Sequence, residues 1–276
     1  MSIWQALSRE NPMFIEVRRY RRRLFGAGRT TGLNIAFLTL GAICYVGLLM
    51  VVGNGNGMIA PQWMVVTQTI LFTLAAPIAL NNAVAGEREK GTWDLLLVAP
   101  VTKAQIMVGK FAGAFTNVLY GTVLFLLPIF ICAVSYQQTD YGALLLAELD
   151  SLSFALFACA ISLFFSARCR RPFTALGMSL GAMVLGLVIY PMLLTMLGVE
   201  GDSNFSFFFA LHPIVVESLL AEPPRGDSAM VSPFLLAGVQ IFTFIFLTFV
   251  TLVWTERTLT FSDTEVKFLP KSHARS

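Results

Sequence analysis

Of the 276 residues, 56% are hydrophobic and only 13% are charged, about half the charged share of an ordinary soluble domain, and the mean hydropathy is +0.73. A soluble core cannot hide that much apolar surface. The apolar residues also come in uninterrupted runs of about 20 rather than in short amphipathic stripes, so the expected fold class is an all-α membrane protein. The net charge of +3 is an orientation signal, since the basic residues cluster between apolar runs, and no nucleic-acid partner is implied. Cys44, Cys132, Cys159 and Cys169 have no CxxC spacing, and three of them lie inside apolar runs, so neither a disulfide framework nor a metal site is expected.

Asn11-Pro12 places an N-cap before a proline at the first helical position. Met13, Val17, Tyr20 and Leu24 then share one face with arginines around the others. The pattern predicts an amphipathic helix over 11–25, lying on the cytoplasmic membrane surface with its arginines at anionic head groups. The first apolar run begins near Leu33, after Arg9, Arg18, Arg19, Arg21, Arg22, Arg23 and Arg29. It lacks the short apolar region and cleavage site of a signal peptide, so the first span is expected to stay in the mature chain.

Uncharged stretches place six spans at about 33–53, 63–85, 106–135, 145–167, 172–199 and 233–255, in a single transmembrane domain over 1–276. With the N-terminus in the cytoplasm, all but Arg225 of the 19 Lys and Arg residues fall inside. Asp140, Glu148, Asp150, Glu200, Asp202, Glu217, Glu222 and Asp227 fall outside. The positive-inside rule therefore predicts a multi-pass protein of the cell (inner) membrane with both termini cytoplasmic. A seventh span over 205–221 would put the basic tail outside and bury Glu217 at a cost of about 2–3 kcal/mol. The segment 203–222, rich in phenylalanine and broken at His212-Pro213, reads instead as an outer re-entrant or interfacial helical segment before span six, or as a helix packed on the bundle. Trp4, Trp63, Trp93 and Trp254 read as interfacial anchors. The glycine pairs Gly109/Gly113 and Gly177/Gly181 have the GxxxG spacing of close helix contacts.

The loop 87–100 between spans two and three carries the most information. Glu87, Arg88, Glu89 and Lys90 alternate in sign before Gly91. Thr92 is placed to N-cap a short helix with Asp94 in its first turn, and Pro100 ends it. Thr102 and Gln105 then form a capping box that opens the third span, with Lys110 about two turns in. Leu95, Leu96, Leu97 and Val98 on this helix must be covered by lipid or by another protein.

Glu87, Glu89, Gly91, Thr92, Leu95, Leu96 and Pro100, followed by Gly109-Lys110, resemble in order and spacing the hallmark of ABC-2 type transporter permeases, the membrane-spanning subunits of ATP-binding cassette exporters. The resemblance extends over nearly the whole chain. It implies that the loop is a coupling helix seated in a cytoplasmic ATP-binding subunit, with Glu87, Glu89, Gly91, Thr92, Leu95, Leu96, Pro100 and Lys110 as the coupling contact. It further implies a dimer of permeases, expected to be two copies of this chain, above two ATP-binding subunits, and leaves the substrate unspecified.

The chain itself has no Walker A loop, because Gly109-Lys110 runs into Phe111 without the preceding glycine-spaced turn. ATP and Mg are expected in the partner chain, with no cofactor and no catalytic residue here. The uncharged runs hold no ionisable group at mid-membrane depth, unlike ion-coupled transporters. Glu148 and Asp150 read as a solvated outer mouth, and an amphipathic or lipid-like substrate is favoured over a bare ion. Two other classes stand beside this one. Gly177-Met178-Ser179-Leu180-Gly181 matches G-x-S-x-G formally, but it lies in a helical run and the only histidines are His212 and His273, so helix packing explains it better than an intramembrane serine hydrolase. A non-transporting membrane scaffold would be marked by the absence of an ATPase partner.

Overall fold

The computed structural model describes residues 62–98, 100–135, 140–196, 212–221 and 232–259, which form helices and no strand. The surface helix expected over 11–25, the span expected over 33–53, the first part of the outer segment and the basic tail lie outside these residues. In chain order the helices are α1 (Gln62–Leu80), α2 (Ala85–Glu89), α3 (Trp93–Val98), α4 (Lys103–Ser135), α5 (Tyr141–Arg168), α6 (Pro172–Val184), α7 (Tyr190–Met196), α8 (Pro213–Ala221) and α9 (Pro233–Thr258). A π-helical turn, Leu185–Ile189, joins α6 to α7. Among the described residues four helical stretches are long and apolar enough to cross a membrane: Gln62–Glu89, Tyr141–Arg168, Pro172–Leu193 and Pro233–Thr258. α4 is longer still, at 33 residues.

Capping chemistry sets most of the helix starts. Asp140 Oδ1 accepts from the amides of Gly142 (2.8 Å) and Ala143 (3.2 Å) to open α5. Ser232 does the same for α9 through the Leu235 amide, and Pro172 and Pro233 hold the first turns of α6 and α9. The Thr102/Gln105 capping box is present in both directions. Thr102 N–H donates to Gln105 Oε1 (2.9 Å), and Gln105 N–H donates to Thr102 Oγ1 (3.2 Å).

α5 is the central helix, packing against α1, α4, α6, α8 and α9, most extensively against α9 and α1. Its buried face carries Ala143, Ala147, Ser151, Ala155, Ala158, Ser162 and Ser166 at three- and four-residue spacing. Small side chains let helix axes approach closely where lipid supplies no hydrophobic drive between helices. Thr69 meets Ser151 (2.7 Å), and fifteen residues further along both chains Val84 N–H donates to Ser166 (3.0 Å), so α1 and α5 run parallel. α9 runs the same way, since Phe154 packs edge-on against Phe244 and Phe164 lies tilted against Trp254, each pair at 5.2 Å. The three helices end together where Arg88, Lys90, Lys103, Arg168, Arg171 and Arg257 lie, the basic end of the bundle. Lys103 Nζ donates to the Leu259 carbonyl (2.7 Å), tying the start of α4 to the end of α9 there.

The structure departs from the sequence reading over the acids. Glu217, counted from the sequence among the acids outside the membrane, is 0% exposed, because α8 packs against both α1 and α5, as in the alternative of a helix packed on the bundle. Its Oε1 accepts from the Thr69 hydroxyl (2.6 Å), a polar partner supplied by α1. Glu148 and Asp150, read as a solvated mouth, lie within α5. Glu148 accepts from Gln68 Nε2 (3.0 Å) and Asp150 is 0% exposed. The solvated-mouth reading of these two acids is therefore corrected by the packing of α1 and α8 against α5. Among the described residues a Cβ on Gly113, Gly177 or Gly181 would meet nothing within 4 Å, and the small residues of the α1–α5 contact are the alanines and serines of α5.

Because Ala155 is fully buried in the main core cluster, Ala155→Leu should overpack the α5 seam by about 1–3 kcal/mol. Thermal unfolding of the detergent-solubilised protein should show a clearly lowered midpoint, whereas Leu145→Ala, at an exposed position of the same helix, should not.

Candidate functional site

The segment from α2 to the start of α4 lies at the basic end and is held there by specific bonds. α2 closes on Gly91, whose φ of 70° is left-handed. Thr92 N–H donates to the Glu87 carbonyl (2.9 Å) and Gly91 N–H to the Arg88 carbonyl (3.1 Å), the paired bonds of a Schellman cap. Glycine is needed because a Cβ disfavours that φ. This turn sends the chain into α3, whose first backbone bond runs from Leu96 N–H to the Thr92 carbonyl (3.2 Å).

Glu87 joins three parts of the segment. Its carboxylate accepts from the Thr92 hydroxyl and lies 3.8 Å from the Lys110 ammonium, which is nearly fully buried on α4. The Thr92 hydroxyl is turned back toward Glu87 (also 3.3 Å from the Glu87 carbonyl), which fixes the turn. Glu89 and Lys90 are exposed beside it, and so is Pro100 beyond α3.

α3 is two-faced. Trp93, read from the sequence as an interfacial anchor, is 0% exposed and belongs to the main core cluster, with Leu96 packed beside it and the Arg88 guanidinium 5.6 Å from its ring centroid. Leu95 and Val98 point the other way, 73% and 75% exposed. Leu95 and Leu96, paired in the sequence as one contact, thus fall on different sides of the helix, Leu95 outward and Leu96 against the core, adjacent positions being about 100° apart.

Ser166, which the sequence gave no reason to single out, anchors this assembly to α5. Its hydroxyl accepts from the amides of Val84 (3.0 Å) and Ala85 (3.2 Å) and donates to the Asn81 carbonyl (3.0 Å). The break between α1 and α2 leaves these backbone groups without helical partners, so one serine satisfies them and fixes where α2 begins. The small residues recurring every three or four positions along α5, Ser162 and Ser166 among them, are the pattern through which it could have been found.

Ser179 is buried, with its hydroxyl donating to the carbonyls of Ala175 (2.8 Å) and Leu176 (3.1 Å) in its own helix. His212 bonds the Leu187 carbonyl (3.0 Å) in the π-helical turn, so each group is committed to backbone and the two do not form a nucleophile and base pair.

The chain matches the model of a protein family described as ABC-2 family transporter protein over residues 27–261. It is also 32% identical over 111 residues to the probable multidrug ABC transporter permease YbhR of Escherichia coli strain K12, and to the protein of that name in strain O157:H7. Those matches cover 39% of this chain and 29% of the relatives' length.

Replacing Gly91 by Ala should cost about 1–2 kcal/mol through its positive φ. The expected signature is local: hydrogen exchange at the Gly91 and Thr92 amides accelerates while amides in the middle of α5 keep their protection.

Proposed function

The chain belongs to the ABC-2 family of transporter proteins, and on that premise we propose that it is the permease of an ATP-driven exporter whose ATP-binding subunit docks on α3. The observation that carries the proposal is the two-faced character of α3: a helix anchored by Trp93 and Leu96, presenting Leu95 and Val98 at the basic end. Apolar groups held outward on a rigid mount suit an anchor entering a groove on a partner.

In this reading the basic end is cytoplasmic. The six spans comprise about 33–53 followed by α1, α4, α5, the α6–α7 helix and α9. The N-terminal helix over 11–25 lies on the cytoplasmic surface, both termini are cytoplasmic, the membrane is the inner membrane, and α8 belongs to the outer re-entrant segment. Two copies of the permease stand above two ATP-binding subunits, which supply the site for ATP and Mg. ATP-driven closure of those subunits pushes α3. The push reaches α4 through Glu87 and Lys110, and α5 through Ser166, because these bonds join α2 and its following turn to both helices. Sliding and tilting of packed helices then opens a path toward the outer side. The similarity to proteins named multidrug permeases supports an amphipathic organic substrate over a bare ion.

The test is a paired substitution. Leu95→Asp with Val98→Asp should leave the protein inserted and folded, yet abolish both co-purification of an ATP-binding cassette subunit and ATPase activity of the mild-detergent extract. Leu96→Asp should instead lower the unfolding midpoint, because it places a charge against the core. Unchanged ATPase recovery with the Leu95/Val98 variant would refute the docking role.

A further inference from the structure

Toward the end of the bundle opposite the coupling segment, three carboxyl groups meet between α1, α5 and α8. One oxygen of Glu148 is satisfied by Gln68 and one oxygen of Glu217 by Thr69. Among the described residues neither oxygen of Asp150 has a donor, and Glu217 Oε2 and Glu148 Oε1 have none either, although Asp150 and Glu217 are fully buried. No lysine, arginine or histidine pairs with these acids among the described residues.

A second, non-acidic group is left equally bare. Gln240 on α9 is buried with both amide atoms unpartnered. It stands one turn from Phe244, as Asp150 stands one turn from Phe154, and the two rings touch at 5.2 Å. Since α5 and α9 are parallel, Gln240 and Asp150 occupy the same level of the α5–α9 seam. Buried polar atoms are ordinarily satisfied, and native exceptions collect where a ligand is bound.

One turn toward the basic end lies a cavity of about 460 Å³, within the ~300–1,000 Å³ of small-molecule pockets. Phe154, Phe157 and Phe244 line it together with Pro213, the first residue of the helix that carries Glu217. The π-helical turn forms another wall, through Leu185 and Leu187, and such turns recur at functional sites. Leu185 is exposed at the cavity edge, so a compound dissolved among apolar chains meets an apolar opening first.

We propose that the acids and the cavity form one binding site for an amphipathic organic amine, with the ammonium N–H groups donating to Asp150 and Glu217 and the apolar body against Phe154, Phe157 and Phe244. The ammonium supplies the donors that Asp150 and Glu217 lack and removes the cost of unpaired buried carboxylates. As a substrate site this rests on the permease reading, but occupancy itself requires neither ATP nor a partner. A proton alone would quench the charge but has no use for an apolar cavity one turn away.

Binding of tritiated propranolol to the purified full-length protein in lipid nanodiscs separates these cases. Saturable binding is expected, displaced by unlabelled propranolol and at least tenfold less well by 3-(1-naphthyloxy)-1,2-propanediol, which keeps the ring and hydroxyl and lacks the amine. Asp150→Asn and Glu217→Gln should each weaken binding about tenfold or more, and Asp150→Asn should leave the unfolding midpoint no lower than the parent's, since that carboxylate bonds nothing in the protein. Equal displacement by the diol, absence of saturable binding, or full binding by both variants would overturn the site. The wild-type amine and diol comparison decides even if a variant does not fold, and because no ATPase is present, its failure leaves the coupling role of α3 standing.

Discussion

The close parallel packing of α1 on α5 is the contact on which both ends of the molecule depend. Alanines and serines on the buried face of α5 bring the two backbones near enough for side-chain hydroxyls to bridge them. Toward one end the bridge is Thr69 with Ser151 and Glu217; at the other it is Ser166 with the broken end of α1. In hydrocarbon there is no water to satisfy a stray amide or hydroxyl, so each bridge also removes a penalty that would otherwise fall on the backbone or an acid. A larger residue anywhere on that face would separate the helices and loosen both regions together.

This arrangement explains how a short helix in a loop can be mechanically useful. α3 has only six residues, too few to be stable alone. Its position is imposed by a left-handed glycine, a buried tryptophan, a carboxylate shared between a threonine and a buried lysine, and a serine on another helix. A force on such a rigidly mounted element moves its supports, whereas a force on a floppy loop is dissipated in the loop. In the permease reading, Glu87, Gly91, Thr92 and Lys110 hold the loop, and Leu95 with Val98 meets the partner.

The acids between α1, α5 and α8 carry a different lesson about membrane proteins. Two of the polar contacts there are ordinary hydrogen bonds that secure α8 and α1 to the bundle. The remaining oxygens and the Gln240 amide have no such role, and they stand beside an aromatic cavity. A bundle that needed only stability would be better served by apolar residues of the same size.

Much of this protein was legible in one dimension, because the relevant physics is local. Apolar run length reports the helices, the Thr102/Gln105 pair reports the start of α4, since a cap is satisfied by residues two to four positions away, and the order of Glu87, Gly91, Thr92 and Lys110 carries the family resemblance. What the tertiary structure decided was which side of each helix faces protein. Leu95 and Leu96 are neighbours in sequence but lie on different sides of the helix, Trp93 is core rather than anchor, and Glu217 is enclosed rather than exposed. In a soluble protein the polar face of a helix reveals its outside. In a membrane bundle the lipid-facing and protein-facing sides are both apolar, so the sequence of a span carries little record of its orientation, and only packing against α5 settles it.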